Sequence, residues 1–486
     1  MLQKAQYTTL EDREIRMVID MMSEVEGQRA YQQALQVLAM RLRGELVLPG
    51  DPDYEPARGV WNAVADRHPA LIVRCADVTD VIEAVTFARE QGMTVSVRSG
   101  GHSPAGHGTN DGGMVIDLSG MKAITIYPEW HKARIEPGLT WGEVAQMLQP
   151  YGLAITAGDT SSVGVGGLLL GGGIGWMVRK YGMTIDRLRA VEVVTADGQL
   201  LRASAKENAE LFWGLRGGGG NFGVATAFEV DLHPAGMVLG GAVFFDAADA
   251  EGILRAYARY AAAAPDELTT MAMLMAAPPA PFIPPAKQGT PVVAIAVCYT
   301  GDLAEGERIV APLRTLGTPI ADVIAPMPYP GMFALTEEAT ARGLQQHIRS
   351  MFLQALNDDV IHTIAEEAAA VLSPDTLVQI RILGGAMNRV PADATAFAHR
   401  DKQAIVSFMH HGLGSTVDER RWAYTEQAWQ SLLPYACGVY VNFLGAEGAE
   451  RVREAYPPAT YTRLAALKKR YDPTNLFHLN QNIAPA

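Results

Sequence analysis

Cysteine is scarce in this chain. Its 486 residues include three, Cys75, Cys298 and Cys437, which lie far apart and form no CxxC pair. The sequence therefore contains neither a readable zinc motif nor a disulfide framework. Free cysteine is among the residue types most often buried, so we expect three inert, buried thiols and no metal site.

Positive charge is also in short supply. Lys and Arg together number 40 against 53 Asp and Glu, which gives a formal net charge of −13 at pH 7. Nucleic acids and anionic membranes attract proteins through basic patches. We therefore expect neither nucleic acid nor a membrane surface as a partner.

Long apolar runs are missing as well. No stretch is long and uncharged enough to span a bilayer. Residues 1–40 carry acidic and basic side chains throughout and lack the apolar core of a secretion signal, so we expect a cytoplasmic protein. The helical spacing of Tyr31, Leu35 and Leu38 predicts instead a helical extension over residues 1–43. This extension docks on its own domain or forms a subunit contact, and a homo-oligomer stays an open alternative.

The common nucleotide-binding signatures do not apply. The chain has no Walker motif, and Gly218-x-Gly220-x-x-Gly223 only formally matches the dinucleotide pattern. That pattern requires a helix to begin at the glycines. Residues 224–232 are instead alternating and rich in β-branched side chains, which predicts a strand. The context therefore excludes a Rossmann site.

Glycine, in contrast, is abundant, with 48 residues and three dense clusters. The first is Arg98-Ser99-Gly100-Gly101-His102-Ser103, which follows a predicted strand at 94–97; the others cover residues 163–175 and 216–223. Glycine allows close approach of the backbone to a ligand, and consecutive amides in non-helical conformations form nests that bind phosphates. Three such loops beside predicted strands indicate one extended, phosphate-bearing cofactor.

These clusters carry a family resemblance. RSGGHS, the GVGG…LGGGIG…RKYG…D segment, the ADG turn and RGGGGNFG resemble, in order and spacing, the FAD-binding domain of the vanillyl-alcohol oxidase / p-cresol methylhydroxylase superfamily. At the chain end, YVNF, YDPTNLF and NQNI resemble the berberine bridge enzyme-like branch. The resemblance extends from about residue 44 to the end.

The resemblance implies FAD as the cofactor, bonded covalently through His102. Relatives with a second bond have a cysteine where this chain has Thr160, and a hydroxyl cannot replace a thiolate in that link. We therefore expect no cysteinyl link, as in singly tethered bacterial members such as hydroxynicotine oxidases. The other flavin contacts implied are Arg98, Ser99, Gly100, Gly101, Ser103, Gly158, Asp159, Thr160, Val163, Gly164, Gly166, Gly167, Gly171, Gly172, Gly173, Gly175, Gly223, Val224, Asn442 and Asn480.

The fold class that the resemblance implies is α+β. A two-lobed FAD-binding domain of the p-cresol methylhydroxylase type would cover residues 44–235. A substrate domain with an antiparallel sheet covered by helices would cover 236–439, and residues 440–486 would return to the first domain. The length supports two domains, because single cores stop growing beyond about 250–300 residues. Strands are predicted at 292–299, 377–383 and 404–410.

The expected reaction is oxidation of a small molecule. A hydride would leave a C–H bond beside a hydroxyl or amine, and oxygen would accept the electrons and form hydrogen peroxide. A small β-branched residue at the Val163 position goes with oxidase behaviour in this family. Two alternatives stay open: a dehydrogenase or cyclising tailoring enzyme with another acceptor, and a flavin-binding protein without turnover.

For the catalytic base we choose Tyr440. Residues 439–443 alternate as a strand does, which puts Tyr440 and Asn442 on one face. A tyrosine pKa near 10 is too high for a base at neutral pH, so a positive charge or a hydrogen-bond partner is needed. Arg381 and His410 are candidates for that role, and His410 is the alternative base.

Several other residues stay open. Gln379, Ser407 and Met409 are equally well explained as substrate contacts or as ordinary strand residues. Arg179 and Asp186 belong either to the cofactor site or to structural ion pairs. The aromatic residue that the family has two positions after the linking histidine is Pro104 here, so we expect that contact to be absent.

Overall fold

The computed structural model describes residues 10–337, 341–371, 373, 375–412 and 419–486, with side chains from residue 26 onward except at 371. Residues 1–9 of the predicted extension lie outside this part. Most of the remainder forms α1 (Leu10–Arg41). Near its C-terminal end, Leu35 and Leu38 are buried in one core with α3 (Val78–Glu90), so this end of the helix docks on its own chain.

A mixed sheet follows α1. Its strands are β1 (Glu45–Val47), β2 (Leu71–Arg74), β3 (Val95–Arg98) and β4 (Met114–Asp117), and its spatial order is β1-β2-β4-β3. The short helix α2 (Tyr54–Arg58) precedes β2. Both β2 and β3 run parallel to β4. β2 and β3 therefore run in the same direction on either side of β4, and α3 provides the crossover connection that two such strands need.

An antiparallel sheet comes next, in the order β5-β6-β10-β8-β9. Its strands are β5 (Ile124–Tyr127), β6 (Lys132–Ile135), β8 (Leu188–Val194), β9 (Leu200–Ser204) and β10 (Val224–Asp231). Thus residues 224–231 form the predicted strand. Between these strands the chain forms four helices, α4 (Trp141–Leu148), α5 (Val165–Gly171), α6 (Val178–Tyr181) and α7 (Ala209–Leu215). A separate pair of short strands consists of β7 (Leu153–Ala154) and β11 (His233–Pro234).

The largest sheet is entirely antiparallel, in the order β15-β12-β14-β13-β18-β19-β17, with β16 beside β12. Its strands are β12 (Met237–Asp246), β13 (Leu268–Ala276), β14 (Pro291–Tyr299), β15 (Pro319–Asp322), β16 (Ala325–Pro328), β17 (Gln345–Leu353), β18 (Thr376–Ile382) and β19 (Ala404–Gly412). The three strands predicted from sequence are β14, β18 and β19.

Helices cover one face of this sheet. Buried side chains of α8 (Ala250–Ala263), α9 (Leu303–Val310), α10 (Asp358–Val371) and α12 (Glu419–Leu432) share one apolar core with the sheet. On the other face, side chains such as Phe244 and Met273 share a core with α4 and α5. The predicted α+β class, with an antiparallel sheet covered by helices, is confirmed.

The chain end packs back on the third glycine cluster. The helices α11 (Ala386–Arg389), α13 (Ala449–Glu454) and α14 (Pro458–Tyr471) complete the fold. In α14, Lys468 forms a fully buried ion pair with Asp472 and donates hydrogen bonds to the carbonyls of Asn221 and Phe477 at 2.9 and 2.8 Å. The domain boundaries at 43/44, 235/236 and 439/440 stay predictions.

The cysteines agree only in part with expectation. Cys75 and Cys298 are buried, but Cys437 is half-buried, and its thiol donates to the Phe352 carbonyl at 3.3 Å. In the described part of the chain, no cluster of three His, Cys, Asp or Glu side chains could hold a metal ion. None of the described helices combines the length and apolarity needed to cross a bilayer.

Candidate active site

The glycine-rich loops and the largest sheet enclose a cavity of about 320 Å³. Much of its wall is formed by residues 98–103, which begin at the last residue of β3, and by residues 158–167. Residues 218–223 and the C-terminal segment around Asn480 extend the lining, and side chains of β17, β18 and β19 complete it. The cavity therefore lies between the largest sheet and the loops that the sequence singled out.

Most of the expected cofactor contacts lie in this lining. They are Arg98, Ser99, Gly100, Gly101, His102, Ser103, Gly158, Asp159, Thr160, Val163, Gly164, Gly166, Gly167, Gly223, Asn442 and Asn480, and Tyr440 joins them. The expected contacts that the lining does not include are Gly171, Gly172, Gly173, Gly175 and Val224. Val224 is instead buried in a core with Val194.

The first two glycine clusters pack directly on each other. A Cβ added to Gly100 would lie 2.7 Å from the Cα of Gly164, and the same holds in reverse. The Ser99 hydroxyl accepts a hydrogen bond from the Gly166 amide at 3.2 Å. Glycine is required at positions 100 and 164 because the two backbone segments are in direct contact there.

The second cluster corrects an expectation. We expected its amides to form a non-helical nest, but residues 165–171 form the helix α5. The glycines that follow pack on protein atoms: a Cβ on Gly172 would lie 2.8 Å from the Tyr440 ring, and one on Gly173 would overlap the Thr184 side chain. Similarly, a Cβ on Gly171 would overlap the Asn442 carboxamide. Protein atoms thus fill the space beside these three glycines, and their role as cofactor contacts stays a prediction.

His102 lies on the cavity wall. Its ring stacks on Trp61, with centroids 4.9 Å apart and planes inclined by 20°, and Nε2 lies 2.9 Å from the Ser162 hydroxyl. Burial and, next, the positive charge of Arg342 lower the pKa of His102 to about 3. The imidazole is therefore neutral near pH 7, and a neutral imidazole keeps one ring nitrogen with a free lone pair.

Tyr440 is buried, with 2% of its surface exposed. Its hydroxyl oxygen accepts hydrogen bonds from the Gly173 amide at 2.6 Å and from Asn442 Nδ2 at 2.9 Å. Burial raises the pKa of Tyr440 to about 12, although these two donors and the charge of Arg381 act to lower it. The sequence analysis asked for a positive charge or a hydrogen-bond partner near Tyr440, and the structure has both, in Arg381 and in the two N–H donors.

The strand predicted at 439–443 is wrong, because residues 441–443 form a 3₁₀ helix. This turn, rather than a two-residue alternation, brings Asn442 back to the Tyr440 hydroxyl. Asn442 Nδ2 also donates to the Leu168 carbonyl at 3.1 Å, which fixes its amide against α5.

His410 lies outside the cavity, so the structure does not support it as the alternative base. Ser407 and Met409 line the cavity, whereas Val406 and Phe408 belong to the helix-covered core on the other face. Successive side chains of a strand point to opposite faces, and His410 follows Phe408 by two residues. It is 2% exposed and lies opposite His347 and Thr376 in the neighbouring strands.

The residues whose roles the sequence left open fall into two groups, those that line the cavity and those that form contacts elsewhere in the protein. Gln379, Arg381, Ser407 and Met409 all line the cavity. Asp186 forms a bidentate ion pair with Arg400, in which both N–O distances are 2.8 Å. Arg179 is buried and donates to the carbonyls of Leu383 and Ala264. Asp186 and Arg179 therefore have structural roles.

Several lining residues were missed by the sequence analysis. Trp61 carries no motif, and only the tertiary structure brings it onto His102. Asn221 donates to the Gln481 carbonyl at 3.2 Å and so joins the third cluster to the C-terminal segment. Both motifs were visible in the sequence, but the contact between them was not.

Comparison with known proteins defines the class. The family model "FAD binding domain" matches residues 69–204, and "Berberine and berberine like" matches residues 439–484. (R)-6-hydroxynicotine oxidase from Paenarthrobacter nicotinovorans is 32% identical over 92% of this chain and 98% of its own length. Xylooligosaccharide oxidase from Thermothelomyces thermophilus is 28% identical over 86% of this chain and 88% of its own length.

A solved structure agrees with these matches. The crystal structure of 6-hydroxy-D-nicotine oxidase from Arthrobacter nicotinovorans has a TM-score of 0.82 and 30% identity, covering 92% of this chain and 98% of that one. The protein is thus an FAD-linked oxidoreductase. Within that class, the chain belongs to the berberine bridge enzyme-like family.

The residues present fit FAD. A Cβ on Gly167 or on Gly220 would meet no protein atom within 4 Å, although both glycines line the cavity. Asn480 Oδ1 is buried in the same lining, with no hydrogen-bond partner among the described residues. Open backbone and an unpartnered amide oxygen suit an extended, polar cofactor. The loops at 98–103, 158–167 and 218–223, together with Asn480, would hold it.

Substitutions at two glycines of the second cluster can distinguish a role in protein packing from a role in cofactor binding. Gly172→Ala forces a Cβ onto Tyr440, so we expect a loss of about 1–3 kcal/mol of stability and a lower Tm. Gly167→Ala adds a Cβ that meets no protein atom and replaces a glycine of helix α5, so we expect an unchanged or slightly higher Tm for the apoprotein but less bound flavin. Thermal denaturation and flavin absorbance per chain measure both effects.

The matched control is Gly27→Ala on the exposed part of α1, where a Cβ also meets nothing. It should leave flavin content unchanged. Full flavin content in Gly167→Ala would contradict the assignment of this backbone to the cofactor.

Proposed function

We propose that this protein is an FAD-dependent oxidase of small molecules. It would remove a hydride from a C–H bond beside a hydroxyl or amine and pass the electrons to oxygen, which forms hydrogen peroxide. When bound, FAD supplies the hydride acceptor and the centre that reacts with oxygen. The observation that carries the proposal is that the Tyr440 hydroxyl, held by two N–H donors, and the neutral His102 line the same cavity.

In this proposal Tyr440 accepts the proton. As the C–H bond breaks, the hydroxyl or amine of the substrate gives its proton to the phenolate oxygen, so the substrate loses a hydride and a proton in total. The Gly173 amide and Asn442 Nδ2 stabilise the phenolate, because N–H donors favour a charged acceptor. Arg381 adds a favourable positive charge.

His102 would hold the cofactor through a covalent bond from a ring nitrogen. Its neutral imidazole, fixed by Trp61 and Ser162, is the protonation state that can form such a bond. A second link is not proposed, since Thr160 occupies the position of the cysteine, with its hydroxyl 3.5 Å from that of Thr336.

Val163 would control access of oxygen. It is half-buried in the cavity lining, and its carbonyl accepts a hydrogen bond from the Trp141 amide at 2.9 Å. This bond fixes the backbone at Val163, so the size of the side chain would decide how much room oxygen has beside it.

The first test concerns the link. Wild-type protein precipitated with acid should stay yellow, because a covalent bond survives unfolding. His102→Ala should give a colourless pellet and release any flavin to the supernatant. The exposed His68 offers a control, and His68→Ala should keep the yellow pellet. A colourless wild-type pellet would exclude a covalent link.

The second test concerns the base. Tyr440→Phe removes only the ionisable group, so flavin content should be normal. Flavin reduction measured anaerobically by stopped flow should slow by at least about a hundredfold, the lower range for positioned proton transfer. Because burial raises the pKa of Tyr440, the group is mostly protonated near pH 7, so the wild-type rate should rise as the pH is raised above neutral, and this rise should vanish in Tyr440→Phe.

Tyr329→Phe is the matched control, because it removes another buried tyrosine hydroxyl that has no hydrogen-bond partner among the described residues. Its reduction rate and pH dependence should equal those of the wild type. Reduction of Tyr440→Phe within a few-fold of wild type would assign the base to another group.

The third test concerns oxygen and needs no substrate. Enzyme reduced with dithionite and mixed with aerated buffer should regain the absorbance of oxidised flavin rapidly. Val163→Leu adds a methylene to the cavity lining, so reoxidation should be slower than in the wild type. Val37→Leu on exposed α1 should have no effect. Reduced wild-type flavin that persists in air would favour a dehydrogenase.

A further inference from the structure

A polar corner lies at the sheet side of the cavity, formed by Gln379 and Arg381 of β18 and Ser407 of β19. Gln379 and Ser407 lie directly opposite each other in the paired strands, and Arg381 follows two residues along the same face. All three line the cavity, and Gln379 and Ser407 are 5% and 1% exposed. The corner is therefore sheltered from bulk water.

Hydrogen bonds within the corner orient its groups. Arg381 forms an ion pair with Asp159 through Nη1 and donates from Nη2 to Gln379 Oε1 at 2.8 Å. Because this bond engages the amide oxygen, the NH₂ group of Gln379 remains as a donor. Arg381 Nε and Ser407 Oγ are buried and have no hydrogen-bond partner among the described residues. The corner thus presents N–H donors and one hydroxyl.

The corner lies next to the proposed base. The Arg381 guanidinium lies 5.3 Å from the centre of the Phe443 ring, and the centre of that ring lies 5.0 Å from the centre of the Tyr440 ring. A small molecule that reaches Tyr440 can therefore place another of its groups in this corner. Ile348 and Met409 supply apolar surface in the same lining.

The carboxylate and the two guanidinium groups that the described residues contribute to the cavity wall each form an ion pair with another side chain of the protein. Asp159 is the one carboxylate among the described lining residues, and it is paired with Arg381; Arg98 is paired with Asp117 at 2.8 Å. A cationic ligand would lose its water without gaining a free counter-ion, which is unfavourable. An uncharged ligand meets no such penalty.

We propose that the polar corner is a subsite for an uncharged, acceptor-rich group of the substrate, such as a carbonyl, an ether oxygen or an aromatic ring nitrogen. The enzyme then selects neutral alcohols that carry such a group over protonated amines. This inference rests on the proposed oxidase function and narrows its substrate class.

Ligand binding to the holoenzyme tests the proposal. The probes are pyridine-3-methanol, benzyl alcohol and protonated benzylamine, which share one shape. Dissociation constants come from the change in flavin absorption under anaerobic conditions near neutral pH. Pyridine-3-methanol should bind more tightly than benzyl alcohol, because its ring nitrogen accepts a hydrogen bond. Benzylamine should bind at least about tenfold more weakly than pyridine-3-methanol.

Two variants and a control assign the effect to the corner. Ser407→Ala and Gln379→Leu should each weaken pyridine-3-methanol by about 2- to 10-fold, the usual range for one hydrogen bond, with a smaller effect on benzyl alcohol. Ser350→Ala makes the same change one strand away, at a buried residue opposite Ser407 that is not part of the lining. It should leave all three constants unchanged.

The proposal is overturned if pyridine-3-methanol does not bind, if benzylamine binds as tightly, or if both corner variants bind within twofold of wild type. Should Gln379→Leu fail to fold, the smaller change Ser407→Ala decides. The two proposals can fail separately. Reoxidation of dithionite-reduced enzyme needs no substrate, so it tests the oxidase function even if the proposed substrate class is wrong. Ligand binding needs no oxygen, so it tests the substrate class even if reoxidation is slow.

Discussion

The hydrogen bond from the Gly173 amide to the Tyr440 hydroxyl, 2.6 Å long, joins two segments that are far apart in sequence. It requires that no side chain stand at Gly172 or Gly173, since a Cβ there would meet Tyr440 or Thr184. The position of Tyr440 against the glycine-rich loops, and through them against His102, depends on this close approach. The glycine run thus serves protein packing at one end and the cavity at the other.

Buried ion pairs fix the segments around this contact. Asp186 with Arg400, Lys468 with Asp472, and Arg98 with Asp117 are each almost entirely shielded from water. Replacement of such pairs by apolar groups often costs little stability, but removal of one partner leaves a costly buried charge. We infer that these ion pairs fix the positions of the segments that they join relative to one another. The pair between Asp159 and Arg381 differs because it faces the cavity.

Burial acts in opposite directions on the two titratable groups central to the site. It removes the charged form of His102 and lowers its pKa, and it disfavours the phenolate of Tyr440 and raises its pKa. Neutral imidazole is the state that the proposed covalent link needs, so burial favours it. Neutral phenol is not the state of a base, so the proposed role of Tyr440 relies on its two N–H donors and on the charge of Arg381.

From the sequence alone, the glycine clusters indicated the loops that line the cavity and an extended, phosphate-bearing cofactor, because they are local signals, and the resemblance of its motifs to a known family implied FAD and the class of fold. The sequence analysis misjudged residues 165–171 and 439–443, since tertiary contacts override local pattern in short segments, and it left Arg179, Asp186 and Gln379 open. Only the tertiary structure decided which face of β19 meets the cavity, and therefore that Ser407 lines it and His410 does not. Strand alternation fixes that two such residues differ in face, whereas packing against the helices fixes which face is buried.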